Sequence, residues 1–185
     1  MNSLLLNFPE SFDTERLTIR SPQPGDGVAF NAALLDSLEA CRPWMPWAQK
    51  APTVEESEEV MRKAHARFLL REDLMLLVFL RSTGVLVASS GLHHIDWTVP
   101  RFEIGYWGRT PYCGHGYVTE AVAGIAGFAQ QTLGARRVEI RAAEANVRSW
   151  RIPEKLGFAH EATLRQWMRT PDGTLHDLRV YSKVS

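Results

Sequence analysis

Cysteine is scarce in this chain: Cys41 and Cys113 are the only two among 185 residues. Two thiols in that length make no disulfide scaffold, so the core must come from packing. Net charge is lacking too, because 21 lysines and arginines are matched by 21 aspartates and glutamates. That balance leaves no broad basic face and argues against nucleic acid or an anionic membrane surface as partner. No apolar run is long enough to span a bilayer. Met1-Asn2-Ser3-Leu4-Leu5-Leu6 has no basic residue and three consecutive leucines. Neither a signal peptide nor a membrane anchor is expected there, and a reducing cytoplasm is the expected setting. Gly-Lys occurs nowhere, which excludes the phosphate loop of nucleotide hydrolases. Repeats, low-complexity tracts and linkers are absent as well. With 45% hydrophobic residues, a single domain spanning residues 1–185 is expected, as a monomer or homodimer.

What is present centres on the stretch from Phe102 to Ala121. Phe102, Ile104 and Tyr106 alternate with Glu103, Gly105 and Trp107, the period of a strand. Pro111 breaks the pattern, Gly114 and Gly116 follow, and a small-residue apolar helix is expected from about Tyr117 to Leu133. A glycine-rich turn feeding a helix aims backbone N–H groups outward at the positive end of the helix dipole, which suits phosphate. The dinucleotide fingerprint G-x-G-x-x-G fits Gly114 and Gly116 but finds Thr119 at its third glycine. It would also leave too little chain behind it for a doubly wound sheet.

Along the rest of the chain, Arg16–Arg20 alternates as a strand, and Asp26 is placed to cap a helix running to about Ala40. Thr53-Val54-Glu55-Glu56 forms a capping box, followed by a helix carried by Val60, Ala64, Arg67 and Phe68 to about Arg71. Leu74–Leu80 reads as a buried strand, and Val85–Ile95 as the strand that returns from it. Gly134 closes the organising helix, and Arg137–Ala142 alternates. Asn146 caps a short helix that Gly157 ends. Phe158–Arg169 and Leu175–Val184 close the chain as a hairpin around Pro171-Asp172-Gly173. The expected class is α+β: one mixed, mostly antiparallel sheet of about seven strands, with helices on both faces.

The run Asn146-Val147-Arg148-Ser149-Trp150-Arg151-Ile152-Pro153-Glu154-Lys155-Leu156-Gly157-Phe158 matches N-x-x-S-x-x-x-x-E-K-L-G-F. With Glu103-Ile104-Gly105-Tyr106-Trp107 and Glu161-Ala162-Thr163-Leu164-Arg165, the chain resembles the ribosomal-protein-serine/alanine N-terminal acetyltransferase branch of the GNAT family, from Thr14 to Tyr181. In the GNAT pyrophosphate pattern [RQ]-x-x-G-x-[GA], the specified places fall on Cys113, Gly116 and Val118, and only Gly116 keeps the family residue.

The resemblance implies acetyl-CoA as co-substrate. Its diphosphate would lie on the amides of Gly114, His115, Gly116, Tyr117, Val118 and Thr119, next to Cys113. Its pantetheine arm would add like a strand in a splay between Phe102–Gly108 and Arg137–Ala142, with Asn146 bonding the arm. A backbone N–H near Tyr106 or Trp107 would hold the oxyanion. Many relatives carry an acidic tyrosine where this chain has Pro153. Ser149 is therefore the candidate general acid, against the alternative of a helix serine bonded back to a carbonyl. Glu103 is the candidate base and acceptor contact, against a sheet-face carboxylate paired with an arginine; the branch's further acidic position falls on Met168. Trp44 and Trp47, in a W-x-P-W pattern, are candidate acceptor-pocket walls, or else core plugs. Adjacent strand residues His93 and His94 point to opposite faces, so no metal site is assigned.

An α-amine is about one-seventh neutral at pH 7, whereas a lysine needs roughly 3 kcal/mol more help. A protein N-terminus is therefore the expected acceptor, attacked directly in a ternary complex. A small amine is the alternative acceptor, and a non-catalytic CoA-binding module is the alternative function.

Overall fold

The strand signals resolve into one eight-stranded sheet in the computed structural model, which describes residues 2–185. Met1, which opens the N-terminal stretch discussed above, lies outside the described residues. The sheet runs β1 (Ser11–Asp13), β2 (Leu17–Arg20), β3 (Leu74–Leu80), β4 (Leu86–Asp96), β5 (Arg101–Gly108), β6 (Arg137–Ala143), then β8 (Leu175–Val184), with β7 (Ala159–Arg169) at the far edge. The strand beyond the expected seven is β1. It spans three residues and pairs Phe12 with Ile19, too short a segment to show a period.

All pairings are antiparallel except β5 with β6. Those two meet only at Arg101–Arg137, Phe102–Val138 and Glu103–Glu139. Past Glu103 each strand is held from its outer side alone, β5 by β4 as far as Gly108 and β6 by β8 as far as Ala143. The expected splay is there, and its facing edges carry no ladder.

Alternate residues of β3 feed two apolar clusters, as the pleat requires. Leu76 and Val78 join Phe102, Ile104, Val138 and Ile140 beneath Val122, Ile125 and Ala129 of α4 (Tyr117–Gln131). On the other face, Leu77 joins Phe30 and Leu34 of α1 (Gly27–Leu35) and Met61 of α3 (Val54–Leu69). Thr53 and Glu56 close the capping box in both directions. The buried face of α3 is Ser57, Met61 and Phe68, while Val60 is 46% exposed.

The helix expected from Asp26 to Ala40 is two helices, α1 and α2 (Leu38–Cys41). Between them the Ser37 hydroxyl donates to the Ala33 carbonyl at 2.8 Å, a local bond that competes with continued helix. Asp26 does not cap α1 with its side chain. Arg20 holds that carboxylate at 2.6 and 2.7 Å, and Glu58 of α3 takes the Gly25 and Gly27 amides instead.

Arg137 ties β6 to β7 by bonding Glu139 and Glu161. The Arg137 bonds, with one from Ser182, lower the Glu161 pKa to about 2. Burial opposes ionisation of Glu139, but the bonds from Arg137 and Arg141 prevail and its pKa is lowered too. A carboxylate depressed in the folded state contributes stability above its unfolded pKa and loses it as pH falls through the folded value. Arg137→Gln is therefore expected to destabilise at pH 7, with the deficit shrinking between about 4.5 and about 2. Urea denaturation at pH 7 and pH 3 checks this, and an equal deficit at both would refute it.

Candidate active site

The site grows from the parting of β5 and β6. Its first component is the turn into α4. Gly116 is the N-cap with φ +81°, left-handed backbone that a side chain would strain. The first helical hydrogen bond runs from Glu120 N to Gly116 O, and the amides of Gly114 through Thr119 have no acceptor among the described residues. Six free N–H groups at the positive end of a 15-residue helix are suited to an anion. The turn is clamped from behind. Glu120 accepts from Thr14 Oγ1 and from Arg16 N and Nε at 2.6–2.8 Å, and Arg16 also reaches the His115 carbonyl. His115 stacks on Tyr117 with ring centroids 5.6 Å apart. Gly108 lets β5 pass close by: a Cβ there would lie 2.9 Å from Val118 Cγ2 and 3.2 Å from Cys113 Sγ.

Burial pushes the Cys113 thiol up, and Arg148 offsets this only in part. The raised pKa disfavours the thiolate there.

The second component is α5 (Val147–Lys155), capped by the Asn146 side chain, which accepts from Ser149 N at 3.3 Å. Pro153 sits inside this helix and has no N–H for the Ser149 carbonyl. Tyr106 supplies the missing donor: its hydroxyl donates to Ser149 O at 2.8 Å, while Ser149 Oγ donates to the Tyr106 hydroxyl at 3.4 Å. Burial pushes the Tyr106 phenol up to about 12.

Two cavities meet here. One of about 500 Å³ runs from Trp107 and Gly108 past Cys113 and Val118 to Arg148 and Ile152. The other, of about 370 Å³, runs from Ile104 to Glu103, His94, Arg141, Trp167 and Met168. Trp44, Met45, Tyr106, Asn146 and Ser149 belong to both walls. One cavity thus reaches the anion-binding turn, the other a carboxylate, and two hydroxyls stand at the junction. That layout suits transfer of a group between two molecules entering from different sides.

Most residues expected at the site come together here, and Trp47 does not. It packs on Trp107 at 5.2 Å between ring centroids and joins the apolar cluster under α1 and α3. Of the two tryptophans in the W-x-P-W pattern, only Trp44 reaches the junction. Glu103 has the arginine partner expected of a sheet-face carboxylate, Arg141 at 3.3 Å, and a second partner, His94, at 3.0 Å. Sequence reasoning missed Arg141, Trp167 and the Tyr106 hydroxyl. Arg141 was within reach, since it lies two residues past Glu139 on the strand paired with β5. Among the described residues, no group of three or more His, Cys, Asp or Glu side chains is arranged to hold a metal, and no helix is long and apolar enough to cross a membrane.

A parted sheet beside a helix start with free amides suits a transferase that takes a phosphate-bearing acyl carrier. The acetyltransferase (GNAT) domain model matches residues 16–159, and the chain belongs to the GNAT acetyltransferases. Among curated relatives it is 28% identical over 172 residues to YdaF of Bacillus subtilis (strain 168), which carries the provisional name of ribosomal N-acetyltransferase; the match covers 91% of each chain. Among solved structures it superposes on RimL, a ribosomal L7/L12 alpha-N-protein acetyltransferase in complex with coenzyme A. That match has TM-score 0.87, 18% identity and coverage of 95% and 98% of the two chains. The microcin C7 self-immunity acetyltransferase MccE, in complex with acetyl-CoA and AMP, gives TM-score 0.86 at 19% identity over 96% and 98%.

Proposed function

We propose that this acetyltransferase moves the acetyl group of acetyl-CoA to the α-amine of a protein N-terminus, in the manner of the ribosomal-protein enzymes. The observation that carries the reading is the pair of cavities joined at Tyr106 and Ser149. The free amides of Gly114–Thr119 fit a diphosphate, and Arg148, Cys113 and Val118 line the way to it. The unpaired edge of β5 at Tyr106 and Trp107, with Asn146 opposite, holds the pantetheine arm. The bound co-substrate supplies an activated acetyl carbonyl. Ser149 gives a proton to the departing sulfur, with Tyr106 holding it in place. Glu103 serves the incoming amine, and Trp44 forms the acceptor wall, with Trp167 and Met168 opposite.

The acceptor-side cavity offers a carboxylate and an imidazole but no lysine. Such modest bases suit an α-amine, a seventh of which is already neutral at pH 7, better than a lysine side chain. Names among the relatives, YdaF and RimL, lean the same way. A thiol-release assay tests the reading, with acetyl-CoA and a panel of free-N-terminal Ser and Ala peptides, Nα-blocked lysine peptides and small amines. Transfer to the free N-termini is expected. Activity confined to small amines would reject the acceptor.

A further inference from the structure

Strand geometry sends the rings of His93 and His94 to opposite faces of β4. His93 follows it: the residue pairs with Glu103 in register, and its Nδ1 lies 2.8 Å from Asp73. His94 departs from it. The β4–β5 register steps from His93–Glu103 to Asp96–Arg101, so two residues of β4 face one of β5, a bulge. His94 takes up the bulge with φ +47°, left-handed backbone that histidine adopts only at a cost. The bulge carries its ring to the Glu103 side, where Nδ1 lies 3.0 Å from Glu103 Oε2. Arg141 Nε approaches the same oxygen at 3.3 Å. The His94 side chain is 78% exposed, and its Nε2 has no hydrogen-bond partner among the described residues. His94 and Glu103 line the acceptor-side cavity together with Tyr106 and Ser149.

We propose that His94 and Glu103 form a base dyad for the acceptor amine, in which His94 Nε2 takes the proton and Glu103 positions the ring. The proposal rests on the acetyltransferase reading above and refines which atom of that site receives the proton. A carboxylate bonded to Nδ1–H leaves the lone pair on Nε2, the nitrogen that is free. A base held in orientation by a third group is the arrangement that activates nucleophiles generally. Imidazole is also closer than a carboxylate in basicity to an α-amine, which favours proton transfer near neutral pH. Glu103 Oε2, already shared by His94 and Arg141, is the less free acceptor.

In the balanced step, the amine nitrogen bonds to the thioester carbon and its proton passes to His94 Nε2. The carbon–sulfur bond breaks with its electron pair on sulfur, which takes the Ser149 hydroxyl proton. The imidazolium gives its proton to water and water returns one to the Ser149 oxygen, so that the amine proton has in net passed to the thiol. The titratable and charged groups facing the ring are Glu103 and Arg101 from β5 and Glu139 and Arg141 from β6. On β4 itself, His93 turns to Asp73 and Asp96 to Thr98 and Val99. Tyr106 lies further along the cavity, and β7 contributes only Trp167 and Met168 to it.

The test uses the full chain. His94→Asn keeps a residue at home in left-handed backbone and removes the imidazole. Its kcat/KM for the acceptor is expected to fall at least tenfold, with KM for acetyl-CoA unchanged and the acid limb of the pH–rate profile reduced in steepness from two protons to the one lost by the amine itself. In His94→Gly, added imidazole is expected to restore rate. Apart from turnover, ¹⁵N NMR of the neutral ring is expected to show the Nδ1–H tautomer in the wild type and mainly Nε2–H in Glu103→Ala. Wild-type kcat/KM with an unaltered acid limb in His94→Asn, or an Nε2–H tautomer in the wild type, would overturn the dyad. If the wild type acetylates no amine at all, the acetyltransferase reading falls and the dyad with it. If the wild type is active and His94→Asn equals it, the dyad alone falls.

Discussion

Ser149→Ala is expected to lower kcat by about ten- to a hundredfold and to leave KM for acetyl-CoA within about twofold, the pattern of an interaction made chiefly in the transition state. The expectation follows from the way α5 is built. Pro153 removes the N–H that an unbroken helix would bring to the Ser149 carbonyl, and Tyr106 donates there at 2.8 Å. With its proton committed to that carbonyl, the Tyr106 oxygen presents its lone pairs to Ser149 Oγ, 3.4 Å away. The serine hydroxyl is thereby held at the junction of the two cavities rather than bonded back along its own helix. Tyr106 does not replace it readily as an acid, since burial keeps its phenol up at about 12. The magnitude stays at the lower end of general acid catalysis because a thiolate leaves tolerably well by itself. Tyr106→Phe should also cost activity, and the double variant should lose less than the sum, by more than about 0.5 kcal/mol, because the hydroxyls act as a unit. Steady-state kinetics of the single and double variants measure this. An unchanged kcat in Ser149→Ala would remove the serine from the chemistry.

How far the sequence carries depends on whether a feature is local. Leu74–Leu80 is a strand to the residue, and the Thr53–Glu56 capping box forms as read, because both are settled by neighbours in the chain. The helix starts at Asn146 and Gly116 are legible for the same reason. Asp26 is misjudged because Arg20, on a different element, takes its carboxylate. Trp47 looks like a pocket wall in its motif, yet Phe30 and Trp107 give it an apolar cluster to join. The active site divides in the same way. The anion turn and the Asn146–Ser149 helix start are contiguous segments with strong local signatures. The Tyr106–Ser149 contact spans 43 positions in sequence, and His94 reaches Glu103 only through a bulge that strict period-two alternation hides.

Thr119→Asp separates an anion cradle from an ordinary turn, because only the cradle predicts a loss of acetyl-CoA affinity, while neither predicts a loss of stability. Thr119 is the third residue of α4 after the Gly116 cap, a position where a carboxylate interacts well with the helix dipole. If the turn only joins strand to helix, the substitution adds about 0.3–1 kcal/mol of stability and changes nothing else. If the free amides of Gly114–Thr119 hold a diphosphate, the new carboxylate competes for them and repels the ligand. Two unit charges about 5 Å apart repel by about 1–3 kcal/mol at effective dielectrics between that of water and about 20. Affinity for acetyl-CoA should therefore drop about 10- to 100-fold while the melting temperature of the free protein holds or rises. Calorimetry with CoA and thermal unfolding of the same sample give both quantities. Loss of affinity together with loss of stability would point to misfolding, and the conservative Thr119→Ser variant controls for that. Unchanged affinity in a stable Thr119→Asp protein would place the diphosphate elsewhere and leave the parted strands without a carrier anchored beside them.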